Sequence, residues 1–178
     1  MLLLKLLYLL NNYYFITILD YDTLGHIVSA SLQTMMLEKS RVIRRPEGEP
    51  TFNIFYQMLA GLDSQTKKEL YLDNLNEPNL FLTPLQRMED KSKASLAFQK
   101  IYNVAFKTLG IKSEEGSSIW SVLAAIYHLG VASVAKGNLN RTQFAKPQAA
   151  QKAAHCLGIT LEDLTRNIFQ VLHCVPGK

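Results

Sequence analysis

Pro46, Gly48 and Pro50, close together in the first third of the chain, set the limits on how it can be organised. Proline fixes φ and lacks a backbone N–H, and glycine is costly to order, so neither a strand nor a helix runs through RRPEGEP. Arg41, Arg44 and Arg45 make this loop basic, and the simplest reading of the cluster is a solvated surface loop. The stretch before the break reads as strand. After it the period is that of a helix. The stretch Leu37–Leu62 is therefore a junction between a strand region and a helical one.

On the strand side, Tyr13–Tyr21 (YYFITILDY) is aromatic and β-branched, which predicts a strand. Asp22-Thr23-Leu24-Gly25 supplies turn chemistry. His26–Met36 predicts a second strand with Ile27, Val28, Ala30, Leu32 and Met35 apolar. The two pair as an antiparallel hairpin. It is apolar on both faces, so it is expected to lie within a larger sheet. Alone, such a hairpin is marginal. Its two unpaired edges predict a poorly soluble product.

On the helical side, Thr51 is placed to cap a helix whose Phe52, Phe55, Tyr56 and Leu59 share one face. A short helix follows at Ser64–Leu70, then an irregular segment with Pro78 and Pro84. Asp90 is placed to cap a long helix reaching Leu109, with apolar residues at continuous 3–4 spacing. Ser113 is expected to cap the next helix, which carries Trp120, Leu123, Ala124, Ile126 and Tyr127. That helix is apolar nearly all round and is expected to be buried. Val131–Phe144 reads as a loop. Pro147 opens a helix to Leu157. Thr160–Asp163 resembles a capping box for a last helix to about His173. Gly61, Gly110, Gly130 and Gly158 each precede an apolar residue at an expected helix end, the Schellman pattern. Their spacing is irregular, which excludes a solenoid repeat.

The chain has 178 residues, 48% hydrophobic and 19% charged, with a net charge of +4. That is enough for one domain with a core, and too weakly basic to imply nucleic acid. Cys156 and Cys174 suggest no disulfide framework, and a reducing compartment is the default. Met1–Leu10 (MLLLKLLYLL) is almost wholly apolar. No small-residue cleavage site follows, against a signal segment. Asn11 and Asn12 interrupt it well short of the roughly 20 residues of a membrane span. The preferred reading is sequence foreign to the domain that follows; a membrane tether is the less favoured one.

Chemistry-bearing motifs are few. Phosphate-binding patterns of the GxGxxG or GxxxxGK[ST] type do not occur, nor does GxSxG. His155-Cys156 and His173-Cys174 are adjacent pairs. Helix neighbours point about 100° apart, so neither pair is expected to grip one zinc ion. His128 lies in a last helical turn, where the helix dipole favours a cation, and is expected to be structural. The acidic pairs Asp20/Asp22, Glu47/Glu49, Glu114/Glu115 and Glu162/Asp163 fall at turns and helix starts. No catalytic, cofactor-binding or metal-ligating residue is nominated.

Several stretches together nevertheless resemble one family. LEKSRV, a Gly48-Glu49 loop and TFNIFYQMLAGL occur in the order found in the myosin motor domain. Phe106–Gly110 (FKTLG), Ser121–Gly130 (SVLAAIYHLG), Cys156-Leu157-Gly158 and Leu161–Leu164 are similar to its later helices. The resemblance covers about Ile16 to Phe169. Arg44-Arg45-Pro46 within RVIRRPEGE, with SASLQTMMLEK and LAAIYHLG, is most similar to the unconventional class XVIII myosins. Pro50 replaces the usual loop Arg, and Asn53 the usual His of the aromatic helix.

The resemblance implies an α+β part of the P-loop-containing motor fold. Residues 1–14 would be an apolar leader and 15–178 a partial motor domain, divided into a β-hairpin at 15–37, a loop at 38–50 and a helical region at 51–178. Ile16–Asp22 and His26–Leu37 would be transducer strands, and the helices part of the upper 50-kDa subdomain. The loop known as switch I would fall near Leu9–Tyr13. Those residues, LLNNY, lack the Ser and Arg expected to face Mg²⁺ and γ-phosphate. The P-loop would lie before Met1, and switch II and the main actin-binding loops after Lys178. The parent family uses ATP and Mg²⁺ and binds actin filaments; this chain is expected to bind neither nucleotide nor metal. Other motor and tail segments would be its partners, with no nucleic acid or membrane, in the cytoplasm at the cytoskeleton. The alternative is a stand-alone helical interaction module without nucleotide binding.

Overall fold

The computed structural model describes residues 14–35, 52–73, 75, 77, 79, 91–137 and 141–169. The leader, the 38–50 loop, Thr51, Pro78, Pro84, Asp90, His173 and Cys174 lie outside them. The chain divides into two compact units, Met1–Phe52 and Asn53–Lys178.

In the first unit, β1 (Tyr14–Tyr21) and β2 (Ile27–Met35) form the expected antiparallel hairpin. The register pairs Ile16 with Gln33 and Ile18 with Ser31, and shifts between Asp20 and Tyr21. Asp22 builds the turn. Its Oδ1 accepts the N–H groups of Leu24 and His26, each at 2.8 Å. Gly25, at φ 83°, takes the left-handed position that glycine adopts without steric penalty. Asp20 accepts a hydrogen bond from the Ser29 hydroxyl across the strands. Alternation puts Ile16 and Ile18 on one face and Leu19 on the other. They are 43%, 38% and 40% exposed, so neither face is covered.

The second unit begins with α1 (Asn53–Gly61) and α2 (Ser64–Glu69). Next comes α3 (Lys91–Lys100), which continues through a π-helical turn, Ile101–Ala105, into a last α-turn, Phe106–Thr108. The long helix is thus present, but its 3–4 spacing hid an extra residue. The Phe106 N–H bonds back to Ile101 O, five positions earlier. Then follow α4 (Ser113–Ala132), a small antiparallel pair β3 (Val134–Lys136) and β4 (Thr142–Phe144), α5 (Pro147–Leu157) and α6 (Leu161–Phe169).

Packing explains where expectation and structure part. The segment read as a loop, Val131–Phe144, begins as helix, because Val131 and Ala132 are buried and extend α4. The rest closes as β3–β4, with Phe144 buried and its ring 4.9 Å from that of Phe169. Ser113 is the first helical residue of α4 and not its cap. Lys112 stands outside the helix, and its N–H donates to Glu115 Oε2 at 2.8 Å. α4 is also not buried all round: Ile119, Val122 and Ile126 are exposed.

The glycine pattern splits two and two. Gly110 and Gly158 have φ of 69° and 67° and end their helices with the paired Schellman bonds, Ile111 N–H to Phe106 O and Ile159 N–H to Ala154 O. Gly61 ends α1 as its last helical residue without a left-handed turn, and Gly130 lies inside α4. A Cβ on Gly61 would overlap the Phe98 ring, so this glycine lets α1 and α3 approach closely. Between α4 and α5 the contact is built from small residues. Ala124, Ala150, Ala153 and Ala154 are fully buried. Pro147 starts α5 where its missing N–H costs nothing. Thr160 Oγ1 accepts the Asp163 N–H at 3.0 Å at the start of α6, as the cap pattern predicted.

Candidate functional site

Two places in the helical unit gather polar side chains. The first is the end of α2. Asp63 caps that helix, its carboxylate accepting from the Gln65 and Thr66 N–H groups at 2.9 Å and the Thr66 hydroxyl at 2.6 Å. The Thr66 hydroxyl above all, then its N–H, holds the Asp63 carboxyl below its ordinary value. The helix ends in a third Schellman turn, which no glycine marks. Its left-handed residue is Tyr71, at φ 57°, in place of a glycine. Tyr71 N–H bonds to Lys68 O and Leu72 N–H to Lys67 O, and Leu72 packs back, 2% exposed.

The carbonyl of Leu70, beside that turn, accepts from two later helices. His128 of α4 approaches through Nε2 at 2.8 Å, and Cys156 of α5 through Sγ at 3.8 Å. A carbonyl only accepts, so the neutral His128 ring carries its hydrogen on Nε2. Burial pushes His128 below the ordinary histidine value, and its cost outweighs the favour that a helix C-terminus gives a cation. Burial likewise pushes the Cys156 thiol up, which makes it a poor nucleophile. The Tyr71 ring meets those of His128 and His155 edge-on, at 6.5 and 5.2 Å between centroids. His155 and Cys156 therefore engage different partners, Tyr71 and Leu70. Among the described residues no three His, Cys, Asp or Glu side chains converge on a metal position. The cluster ties α2, α4 and α5 together.

The second place is a cleft of about 390 Å³ between α1, α2, α3 and α4. Phe98, Tyr102 and Trp120 supply its aromatic wall; Asp63 and Glu69 supply charge at its rim. Phe98 lies 4.8 Å from Trp120 and 6.5 Å from Tyr102, centroid to centroid. Tyr102 belongs to the π-turn, a distortion found often at functional sites. Trp120 is 3% exposed, and its indole N–H has no acceptor among the described residues. Such an unpaired buried donor costs about 1–3 kcal/mol. Sequence reasoning placed Trp120 in the core but could not foresee the orphan N–H. Nothing in residue type or spacing tells which way an indole points.

Two of the described helix starts disfavour phosphate. Phosphate binding uses free N–H donors at a helix start and a lysine. Here α4 opens with Glu114 and Glu115, and α6 with Glu162 and Asp163, which repel phosphate. Lys146, before α5, is held by Glu77 at 2.7 Å, and that bond holds the Glu77 carboxyl below its ordinary value.

Comparison with known proteins bears on the chain as a whole. The family model described as myosin head (motor domain) matches residues 14–173. The chain is 48% identical over 155 residues to the mouse (Mus musculus) protein named unconventional myosin-XVIIIa, covering 85% of this chain and 8% of that protein. It is 44% identical over 153 residues to the human (Homo sapiens) unconventional myosin-XVIIIb, covering 85% of this chain and 6% of that one. The chain therefore spans less than a tenth of the length of these relatives.

Proposed function

The chain belongs to the myosin head (motor domain) family, and we propose that it serves as a load-transmitting, non-catalytic part of a class XVIII-like motor. In this reading β1 and β2 are transducer strands of the motor's central sheet within its P-loop fold. The helical unit belongs to the upper 50-kDa subdomain. The stretch from Leu37 to Leu62 hands one over to the other. ATP binding with Mg²⁺, actin association and a cytoskeletal location belong to the assembled motor, whose remaining segments are this chain's partners.

One observation carries the reading. The hairpin exposes Ile16 and Ile18 on one face and Leu19 on the other. A two-stranded ribbon has no use for apolar side chains on both faces unless other strands or helices cover them. The second support is the donor chemistry. Two of the described helix starts, those of α4 and α6, carry carboxylates where a nucleotide would need N–H groups and lysine.

Titrating the purified chain with a fluorescent ATP analogue and Mg²⁺ tests the catalytic half of the proposal. No saturable signal is expected. A micromolar Kd would overturn it. The mechanical half is tested in the full-length relative: replacing the residues equivalent to Ile18 and Leu19 by Asp should weaken the nucleotide dependence of actin binding, and unchanged coupling would refute it.

A further inference from the structure

We propose that the cleft between α1, α2, α3 and α4 is a binding site for a small aromatic ammonium ion. This goes beyond the motor reading and does not depend on it. The Thr66 hydroxyl donates to Asp63 Oδ2, the Ser117 hydroxyl to Ser113 O and the Ser121 hydroxyl to Ser117 O. Each hydroxyl has spent its hydrogen, so each presents lone pairs to the cleft. Asp63 and Glu69 add carboxylate oxygens. Glu69 accepts one bond from Gln65 Nε2, and Asp63 accepts those of the α2 cap, yet a carboxylate has about four lone-pair sites. No described lining side chain is basic. The rim therefore accepts hydrogen bonds and carries negative charge, on a chain whose net charge is +4.

Behind that rim stand Tyr102, 38% exposed, and the largely buried Phe98 and Trp120. An aromatic wall with acceptors at its mouth suits a cation, which is drawn to ring faces as well as to carboxylates. It disfavours an anion of the same shape. The volume, about 390 Å³, lies in the range of small-molecule sites. Chemically, the occupant is an arylalkyl ammonium whose ring meets the wall and whose N–H groups meet the rim.

Trp120 is the single tryptophan of the sequence, so the wall reports on its own occupancy. The experiment titrates the chain with phenethylammonium, 3-phenylpropionate and 3-phenylpropanol and follows Trp120 fluorescence. Saturable change with phenethylammonium is expected, with the alcohol and the carboxylate at least tenfold weaker. Asp63→Asn keeps a good helix cap while removing its charge. Combined with Glu69→Gln it should weaken the ammonium at least tenfold and leave the alcohol unchanged. Three probes titrating alike, or no saturable response to the ammonium, would overturn the proposal. The comparison of probes on the unaltered chain decides this even if the double variant does not fold.

Discussion

His128 Nε2 lies 2.8 Å from the carbonyl oxygen of Leu70, a residue 58 positions earlier in the chain. The bond joins the C-terminal part of the long α4 to the end of the short α2, in a site where water is excluded. A hydrogen bond in such a place contributes about 0.5–1.5 kcal/mol net, but removing the donor costs more, because the acceptor is left without water.

The first expectation is a pH dependence. Burial holds the native His128 below its ordinary value of 6.5. Between that native value and 6.5 the unfolded chain takes up a proton that the native ring does not. Stability is therefore fully present above about pH 6.5 and falls as pH drops below it, by at most about 1.4 kcal/mol per pH unit. Urea unfolding from pH 7.5 to 5 measures the slope. His128→Gln keeps a donor and removes the titration, so its profile should be flatter. Equal slopes in both proteins would contradict the assignment.

A second expectation concerns Tyr71. Its left-handed backbone costs about 1 kcal/mol or more, while its ring contacts with His128 and His155 return a similar amount. Tyr71→Ala loses the ring contacts and keeps the strain. Tyr71→Gly loses the contacts and releases the strain. The glycine variant should be the more stable of the two by about 1 kcal/mol in urea unfolding. If alanine is equal or better, the conformation is not strained.

Gly61 and Gly116 offer a graded test of helix approach. Replacing a helical glycine by alanine gains about 0.5–1 kcal/mol in backbone terms. At Gly61 the new methyl would overlap the buried Phe98 ring, and overpacking costs about 1–3 kcal/mol. At Gly116 it would lie 2.9 Å from the edge of Phe106, a smaller conflict. Gly61→Ala should destabilise clearly, and Gly116→Ala less. The reverse order in thermal melts would show that α1 and α3 do not pack as described.

The hairpin should drive self-association. Ile18→Lys on one face with Leu19→Lys on the other places charges where exposed aliphatic side chains now stand. Light scattering at matched concentration should fall severalfold. Scattering that does not change would mean that other surfaces, such as the exposed Ile119, Val122 and Ile126 of α4, dominate.

Much of the fold could be read in advance where one local rule sufficed. Aromatic and β-branched residues around a turn sequence marked β1 and β2. Pro147 and Thr160 marked helix starts by chemistry within three residues of themselves. Gly110 and Gly158 marked helix ends for the same reason. The rules failed where a distant contact outvoted them. Gly61 ends α1 without a left-handed turn, and it is glycine because Phe98, 37 positions later, takes the space of a side chain. Gly130 stays helical because the residues beyond it are buried. Tyr71 takes a glycine's conformation because its ring is held by two histidines on other helices. The short β3 and β4 were missed because three residues are too few to show a period.

The sequence by itself determined the family, through matched stretches spread along the chain, and the order of strand and helix on either side of the 44–50 break. These depend on residue identity and on neighbours a few positions away. Only the tertiary structure decided that Leu70 is a shared acceptor, that His128 is held neutral, and that a cleft with an acceptor rim opens beside Trp120. Those facts depend on which groups meet across 50 or more positions, and on how much water remains between them. Both are set by packing, and packing is a property of all the elements at once.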